Sequence, residues 1–202
     1  MNFFEKIIVP GLLSASWALC AVQPYDSIRQ MQATPYYVQD SYAYYQLASA
    51  NQASVIVDVE SQDGGVARFF AQQTNNLPSL SQVYSVSSWV DQGSNKHLYH
   101  RFLSNVMQEN TSDMIIPVRM SSQEAASSLN VSADLISLVG GNDADEIYND
   151  ILAWYPHLSE KGVICGDNWS ESAIEMGVTN AASALDLSLK INANLWYLER
   201  NL

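Results

Sequence analysis

Apolar runs alternate along the chain with segments whose apolar positions recur every three or four residues. Residues 54–59 (SVIVDV) are β-branched and nearly continuous, the pattern of a strand buried on both faces. Turn residues follow at 61–65, and 66–73 has helical spacing. Strand, glycine-containing turn and helix in that order open a βαβ unit. After a breaker at 75–78, residues 83–86 predict a second strand. Residues 96–109 predict a helix with Leu98, Phe102, Leu103 and Val106 on one face, and 114–118 (MIIPV) a third strand. A short helix at 122–129 precedes a fourth strand at 134–139 (DLISLV), ended by Gly140 and Gly141. A helix at 145–158 turns Ile147, Ile151, Leu152 and Trp154 inward, and 162–165 (GVIC) is a fifth strand. Residues 172–185 read as helix and 187–198 as one extended, antiparallel addition.

The predicted fold class is therefore α/β, with a mostly parallel sheet covered by helices on both faces. Ligands of such sheets bind beyond the carboxyl ends of the strands, where the strand order reverses. Functional residues should follow Val59, Val86, Val139 and Cys165. No internal repeat or second domain interrupts residues 22–202, which read as one domain.

Two segments precede this pattern. Residues 35–52 (PYYVQDSYAYYQLASANQ) are rich in tyrosine, and Asp40 or Ser41 can cap a helix with Tyr44, Tyr45 and Leu47 on its apolar face. Such tyrosines serve either as a stacking platform for a ligand or, more commonly, as cover for a sheet edge. Residues 7–22 are apolar, follow Lys6 and contain small residues near Ala18, Cys20 and Ala21. That is the outline of a signal peptide over residues 1–21, implying export to the periplasm or outside. Glu5 and Pro10 weaken it, and the alternative is an N-terminal helix packed on a cytoplasmic domain. The run is too short to span a bilayer.

Charge narrows the choice of partner. Lys+Arg total 9 against Asp+Glu 21, a formal net charge of -12, so phosphate backbones and anionic lipid are repelled and nucleic acid is excluded as a natural partner. The 48% of hydrophobic residues against 15% charged argues for a packed core over disorder. Cys165 reads as a small core residue within an apolar strand. His97, His100 and Asp91 can be drawn as a metal or acid/base set, though paired histidines at a helix start are usually solvated surface. Ser85, Ser87 and Ser88 follow a strand without the glycines of a nucleophile elbow. There is no P-loop, GxGxxG or zinc-type cysteine pattern.

At the predicted strand ends the chain resembles the small class I S-adenosylmethionine (SAM) methyltransferases, in particular the methyltransferase-24-like group and, more distantly, catechol-type O-methyltransferases. VDVESQDGG (57–65) is similar to the first motif, VYSVSSW (83–89) to the second strand, DLISLVGGNDADEIYNDILAWYPHLSEKGVICGDNW (134–169) to the fourth strand through the fifth, and INANLWYLER (191–200) to the final strand. The resemblance implies a Rossmann-like fold, SAM as cofactor and a cleft formed by Asp58, Glu60, Gly64, Gly65, Ser87, Trp89 and Val139. It also implies that Asp167 and Asn168 are catalytic residues that hold a Mg2+ ion, which orients substrate hydroxyls.

Several positions depart from the family pattern. The glycine that lets backbone approach the cofactor is replaced by Glu60, whose side chain takes that space and faces the cofactor's own carboxylate. The acidic ribose ligand after the second strand is replaced by Ser87 or Ser88, which offer only neutral hydrogen bonds. Val139 stands where the family has a cation-binding Asp, and Asn142 and Ala144 where His and Tyr often follow. Asp143 and Asp145 lie close enough in sequence to compensate. The plainer reading of GDNW is a polar turn with Asp167 capping the helix that starts near Ser170. Two readings follow: a degenerate, non-catalytic relative that binds a partner or small molecule, or an active, metal-assisted O-methyltransferase acting on a small-molecule hydroxyl. Export favours the first, since SAM is made inside cells.

Overall fold

The computed structural model describes residues 25, 35, 38–90, 97–141 and 143–201. The expected signal segment, Asp91 and Asn142 lie outside the described residues. In chain order the elements are α1 (Ser41–Ala50), β1 (Val55–Val59), α2 (Gly65–Gln72), β2 (Gln82–Ser87), α3 (Leu98–Gln108), β3 (Ile115–Arg119) and α4 (Ser122–Ser128). There follow β4 (Ala133–Leu138), α5 (Ala144–Trp154), β5 (Leu158–Gly166), α6 (Ser172–Leu185), β6 (Leu187–Asn192) and β7 (Leu195–Arg200). The strands form one sheet in the order β3-β2-β1-β4-β5-β7-β6. Strands β1 to β5 pair in parallel, and β7 lies antiparallel to both β5 and β6. The order reverses between β1 and β4, so a crevice opens beyond their carboxyl ends.

Side chains alternate along each strand, and this divides the core in two. Ile56, Val83, Leu135 and Val163 pack under α1, α2 and α3, while Val57, Val86, Ile136 and Ile164 pack under α4, α5 and α6. Both faces are thus apolar, which is why the strands read as continuous runs.

Four expectations need correction. The helix expected over 145–158 ends at Trp154, and a 3-10 turn at Tyr155–His157 carries Pro156, whose missing N–H cannot continue the helical ladder. Strand β5 then begins at Leu158, four residues earlier than its apolar run suggests. Glu160 and Lys161 are exposed there, and the register with β4 shifts between Ala133 and Leu135. The extended segment expected over 187–198 is a hairpin, because the chain turns at Ala193 with a left-handed φ of 57. Finally, Asp40 occupies the N-cap of α1 in a left-handed conformation (φ 54) and makes no capping hydrogen bond.

Helix α1 lies on the face of the sheet. Tyr44 is completely buried there, its ring edge-on to Phe70 at 6.0 Å, and Ser137 Oγ of β4 donates to its hydroxyl at 3.4 Å. Since β4 is an inner strand, the tyrosine covers the sheet's middle and not an edge. No helix of the described residues is long and apolar enough to cross a membrane.

Candidate functional site

A row of polar side chains crosses the α1 face just before the strands end. Registers align Ser85 with Asp58, Asp58 with Ser137, and Ser137 with Cys165; in parallel strands, aligned residues project to one face. All four are fully buried. Asp58 Oδ2 accepts from Ser61 Oγ at 2.8 Å and from the Ala67 N–H at 3.1 Å. Its other oxygen, Oδ1, is buried with no partner among the described residues. Burial pushes the Asp58 carboxyl up to about 7 against the hydrogen bonds from Ser61 and Ala67, and Asp167 and Asp63 add repulsion.

The loop after β1 carries three left-handed residues, Glu60 (φ 60), Gln62 (φ 47) and Gly64 (φ 85). Gly64 is needed on two grounds: its φ, and a Cβ that would come 2.8 Å from the Phe102 ring. Gly65 opens α2. Glu60 keeps the backbone of a glycine while bearing a side chain, a combination that stores strain and gathers at functional sites. That side chain is half-buried and lines a cavity of about 760 Å³ with Ser121, Ser122, Gln123, Glu146 and Asp150. Burial raises the Glu60 carboxyl above its ordinary value, with Asp150 and Glu146 adding to the effect and a bond from Ser87 opposing it. Burial likewise raises Asp150, which accepts from Ser122 Oγ at 2.7 Å and Gln123 Nε2 at 2.8 Å.

At the end of β2, Ser87 Oγ donates to Glu60 Oε2 at 3.4 Å and accepts from the Trp89 N–H at 3.3 Å. Trp89 is buried, with its ring centroid 4.7 Å from that of Phe102 and 5.1 Å from that of Tyr99. Its indole N–H donates to the Gln62 carbonyl. Trp89 therefore braces the Glu60 loop from beneath. After β4, the Val139 N–H donates to the Val59 carbonyl at 3.1 Å, and Gly140 and Gly141 both adopt positive φ. A Cβ on Gly140 would lie 3.6 Å from Glu60 Cβ, so the loops after β1 and β4 meet at Glu60.

Beyond β5, Asp167 and Asn168 stand at the cleft mouth, Asn168 with a left-handed φ of 58. Burial raises the Asp167 carboxyl, and Asp40 adds repulsion. Asp167 does not cap the following helix: α6 begins at Ser172, with Glu171 at its N-cap. Among the described residues no three His, Cys, Asp or Glu side chains are grouped to hold a metal ion. Asp167 and Asn168 supply two candidate side-chain oxygen donors after β5, and Val139 adds no side-chain oxygen to them. His97 and His100 stack at 6.2 Å on the surface of α3, and both are exposed.

The cavity residues Ser121, Ser122 and Gln123 escape notice in the sequence. A signal for them exists: Ser121 and Glu124 form a capping box at the start of α4, a spacing that marks a helix beginning right after β3.

A parallel sheet with this switch point, glycines after β1 and β4, and polar residues at the ends of β1, β2 and β5 define the class I SAM-dependent methyltransferase fold. Residues 41–169 match the family model described as a methyltransferase domain, and the chain belongs to that family. The fold is similar to that of the O-methyltransferase TomG from Streptomyces achromogenes, solved in complex with SAM (TM-score 0.61, 13% identity, 98% of this chain and 95% of that one). It is also similar to an O-methyltransferase from Bacillus cereus in complex with SAH (TM-score 0.57, 13% identity, 96% and 94%) and to a methyltransferase from Geobacter sulfurreducens (TM-score 0.60, 14% identity, 95% and 91%). No curated protein matches the sequence.

Proposed function

We propose that the chain is a non-catalytic member of the methyltransferase family, whose cleft binds a small molecule or partner other than SAM. The observation that carries this reading is Glu60. It adopts a left-handed conformation suited to glycine, its Cβ occupies space beside the Gly140 turn, and its half-buried carboxylate stands next to Ser87. A cofactor carboxylate brought to this turn meets Glu60, with Asp150 and Glu146 behind it, and repulsion in a low-dielectric cleft is unfavourable. Removal of charge-assisted bonds costs about 1.5 to 3 kcal/mol, enough with the steric term to move a micromolar ligand toward millimolar.

One observation favours a second reading. Ser87 occupies the place of the family's ribose-binding acid, and the Glu60 carboxylate stands 3.4 Å from it. A carboxylate lost from β2 is thus resupplied by the loop after β1, where it can accept from ribose hydroxyls. In that case the chain is an O-methyltransferase with a relocated grip on its cofactor.

Titration calorimetry with SAM and S-adenosylhomocysteine separates the two. The first reading expects no binding tighter than about millimolar by the unmodified chain and recovered binding in Glu60→Gly with Ser87→Asp. The second expects micromolar binding by the unmodified chain and a loss of about tenfold or more in Glu60→Gln.

A further inference from the structure

We infer that the free edge of β6 is a self-association surface, at which two copies of this chain join their sheets by antiparallel, two-fold pairing of residues 187–192. The inference is independent of which ligand the cleft holds, and so goes beyond the proposed function.

The two edges of the sheet are finished differently. Strand β3 forms one edge. The Val83 N–H donates to the Met114 carbonyl, so the next carbonyl, that of Ile115, turns outward. Tyr25 caps it, donating its hydroxyl at 3.0 Å while only 2% exposed. Strand β6 forms the other edge and pairs with β7 alone. Its hairpin closes on Asn192 and Leu195 across a two-residue turn, and the pair flanking such a turn exchanges its hydrogen bonds inward. Alternate residues, Leu187, Leu189 and Ile191, therefore direct N–H and C=O outward. Among the described residues nothing bonds to these groups from that side.

The chemistry of this edge selects a second copy. Residues 187–192 (LSLKIN) hold one lysine and no acid in a chain of net charge -12, so two acidic molecules meet here with little repulsion. With the two-fold axis at Leu189, the two Leu189 residues exchange bonds, and Leu187 of each copy exchanges bonds with Ile191 of the other. Leu187 and Leu189 lie on the α6 face of the sheet. Ile191, 47% exposed in the single chain, gains apolar cover there. On the opposite face the same register sets Ser188 against Lys190 and keeps the two lysines apart.

A lysine on an edge strand commonly guards against pairing. Lys190 is instead bound to Glu199 of its own β7, and Ser188, in register with Glu199, is small enough to leave room for the second copy's Lys190. The joint also bears on the cleft. Asn194, in the hairpin turn, accepts from the Trp169 N–H at its carbonyl (3.0 Å) and from the Ser170 N–H at Oδ1 (2.9 Å). The Trp196 indole donates to the Asp167 carbonyl at 3.1 Å. A hairpin held between two sheets thus steadies the loop that carries Asp167 and Asn168.

The test is analytical ultracentrifugation of the full chain, with amide hydrogen exchange alongside. The expected result is a species of twice the chain mass at about 100 μM. The Leu187, Leu189 and Ile191 amides of the unmodified chain should exchange more slowly as concentration rises. Ile191→Pro removes an outward N–H without touching the β7 ladder, and should weaken the dimer about tenfold or more, since symmetry deletes the bond twice. Ser188→Lys faces Glu199 within its own copy and Lys190 of the second, so it should fold yet weaken association. Adding Lys190→Glu to Ser188→Lys should restore it. A dimer whose edge amides exchange as fast as in dilute solution, or one indifferent to both single variants, would overturn the inference. A monomer with an exposed edge at about 100 μM would overturn it too, and leave β6 to a strand of another protein.

Discussion

Glu60 shows how one side chain can alter a cleft while leaving the fold around it intact. Its left-handed backbone costs about 1 to 2 kcal/mol for a residue with a Cβ, and its carboxylate is held near Asp150 and Glu146. Glycine at this position loses about 0.5 to 1 kcal/mol to chain entropy but removes both penalties. Glu60→Gly is therefore expected to stabilise the protein by about 1 kcal/mol near neutral pH, measured by urea unfolding. Glu60→Ala, which keeps the strained backbone, should gain less. A Glu60→Gly variant less stable than the parent would show that the Ser87 contact outweighs the strain. The sequence reveals the replacement of glycine by Glu60, but not its consequences. Its left-handed φ, its approach to Ser87 at the end of β2 and its place in the cavity beside α4 and α5 arise from residues remote in sequence.

Among the elements, strands buried on both faces and helices with a continuous apolar stripe were legible from the sequence, and strand segments with exposed residues were not. Strands β1 to β4 announce themselves by β-branched runs, and α6 matches its expected span because its apolar face is continuous. The start of β5 carries Glu160 and Lys161, and the β6–β7 turn uses Ala193 where a glycine would have flagged it, so neither gave a signal. Packing between helices also leaves little trace in the sequence. Gly177 of α6 sits against α5 so closely that a Cβ would lie 2.1 Å from Ile147 Cγ2 and 2.5 Å from the Ala144 carbonyl. Gly177→Ala should raise helix propensity by about 1 kcal/mol yet destabilise the protein by about 2 to 3 kcal/mol, since overpacking forces the helices apart. Denaturant unfolding decides the sign, and a stabilised variant would show that α6 shifts at little cost.

The whole molecule is acidic, and its interior carboxylates give that acidity a direction. The folded state holds Asp58 at about 7 against 3.8 for the free side chain, and Glu60, Asp150 and Asp167 are raised as well. Raised carboxyls mean that the native state binds more protons than the unfolded chain, so their contribution is present at low pH and is lost as pH rises through about 7. The melting temperature is expected to climb as pH falls from about 8 to about 5. Asp58→Asn should flatten the part of this slope that belongs to Asp58, stabilising most at about pH 8, less at about pH 5, and changing little below about pH 4. Circular dichroism melts across that range provide the check, and parallel slopes for both proteins would remove Asp58 as a cause. Composition gave the net charge, but not where it is buried: the strand registers set Asp58 between Ser85 and Ser137 on one face.

The sheet order also bears on how the protein is made. Strand β7 lies between β5 and β6, so residues 195–200 form an inner strand although they come late in the chain. Trp196 and Leu198, both 0% exposed, pack into the face covered by α4, α5 and α6. During synthesis, the edge of β5 has no partner until Arg200 has left the ribosome, and an open edge of this kind recruits other strands. A nascent chain stalled before Leu195 presents that edge to its neighbours on the polysome.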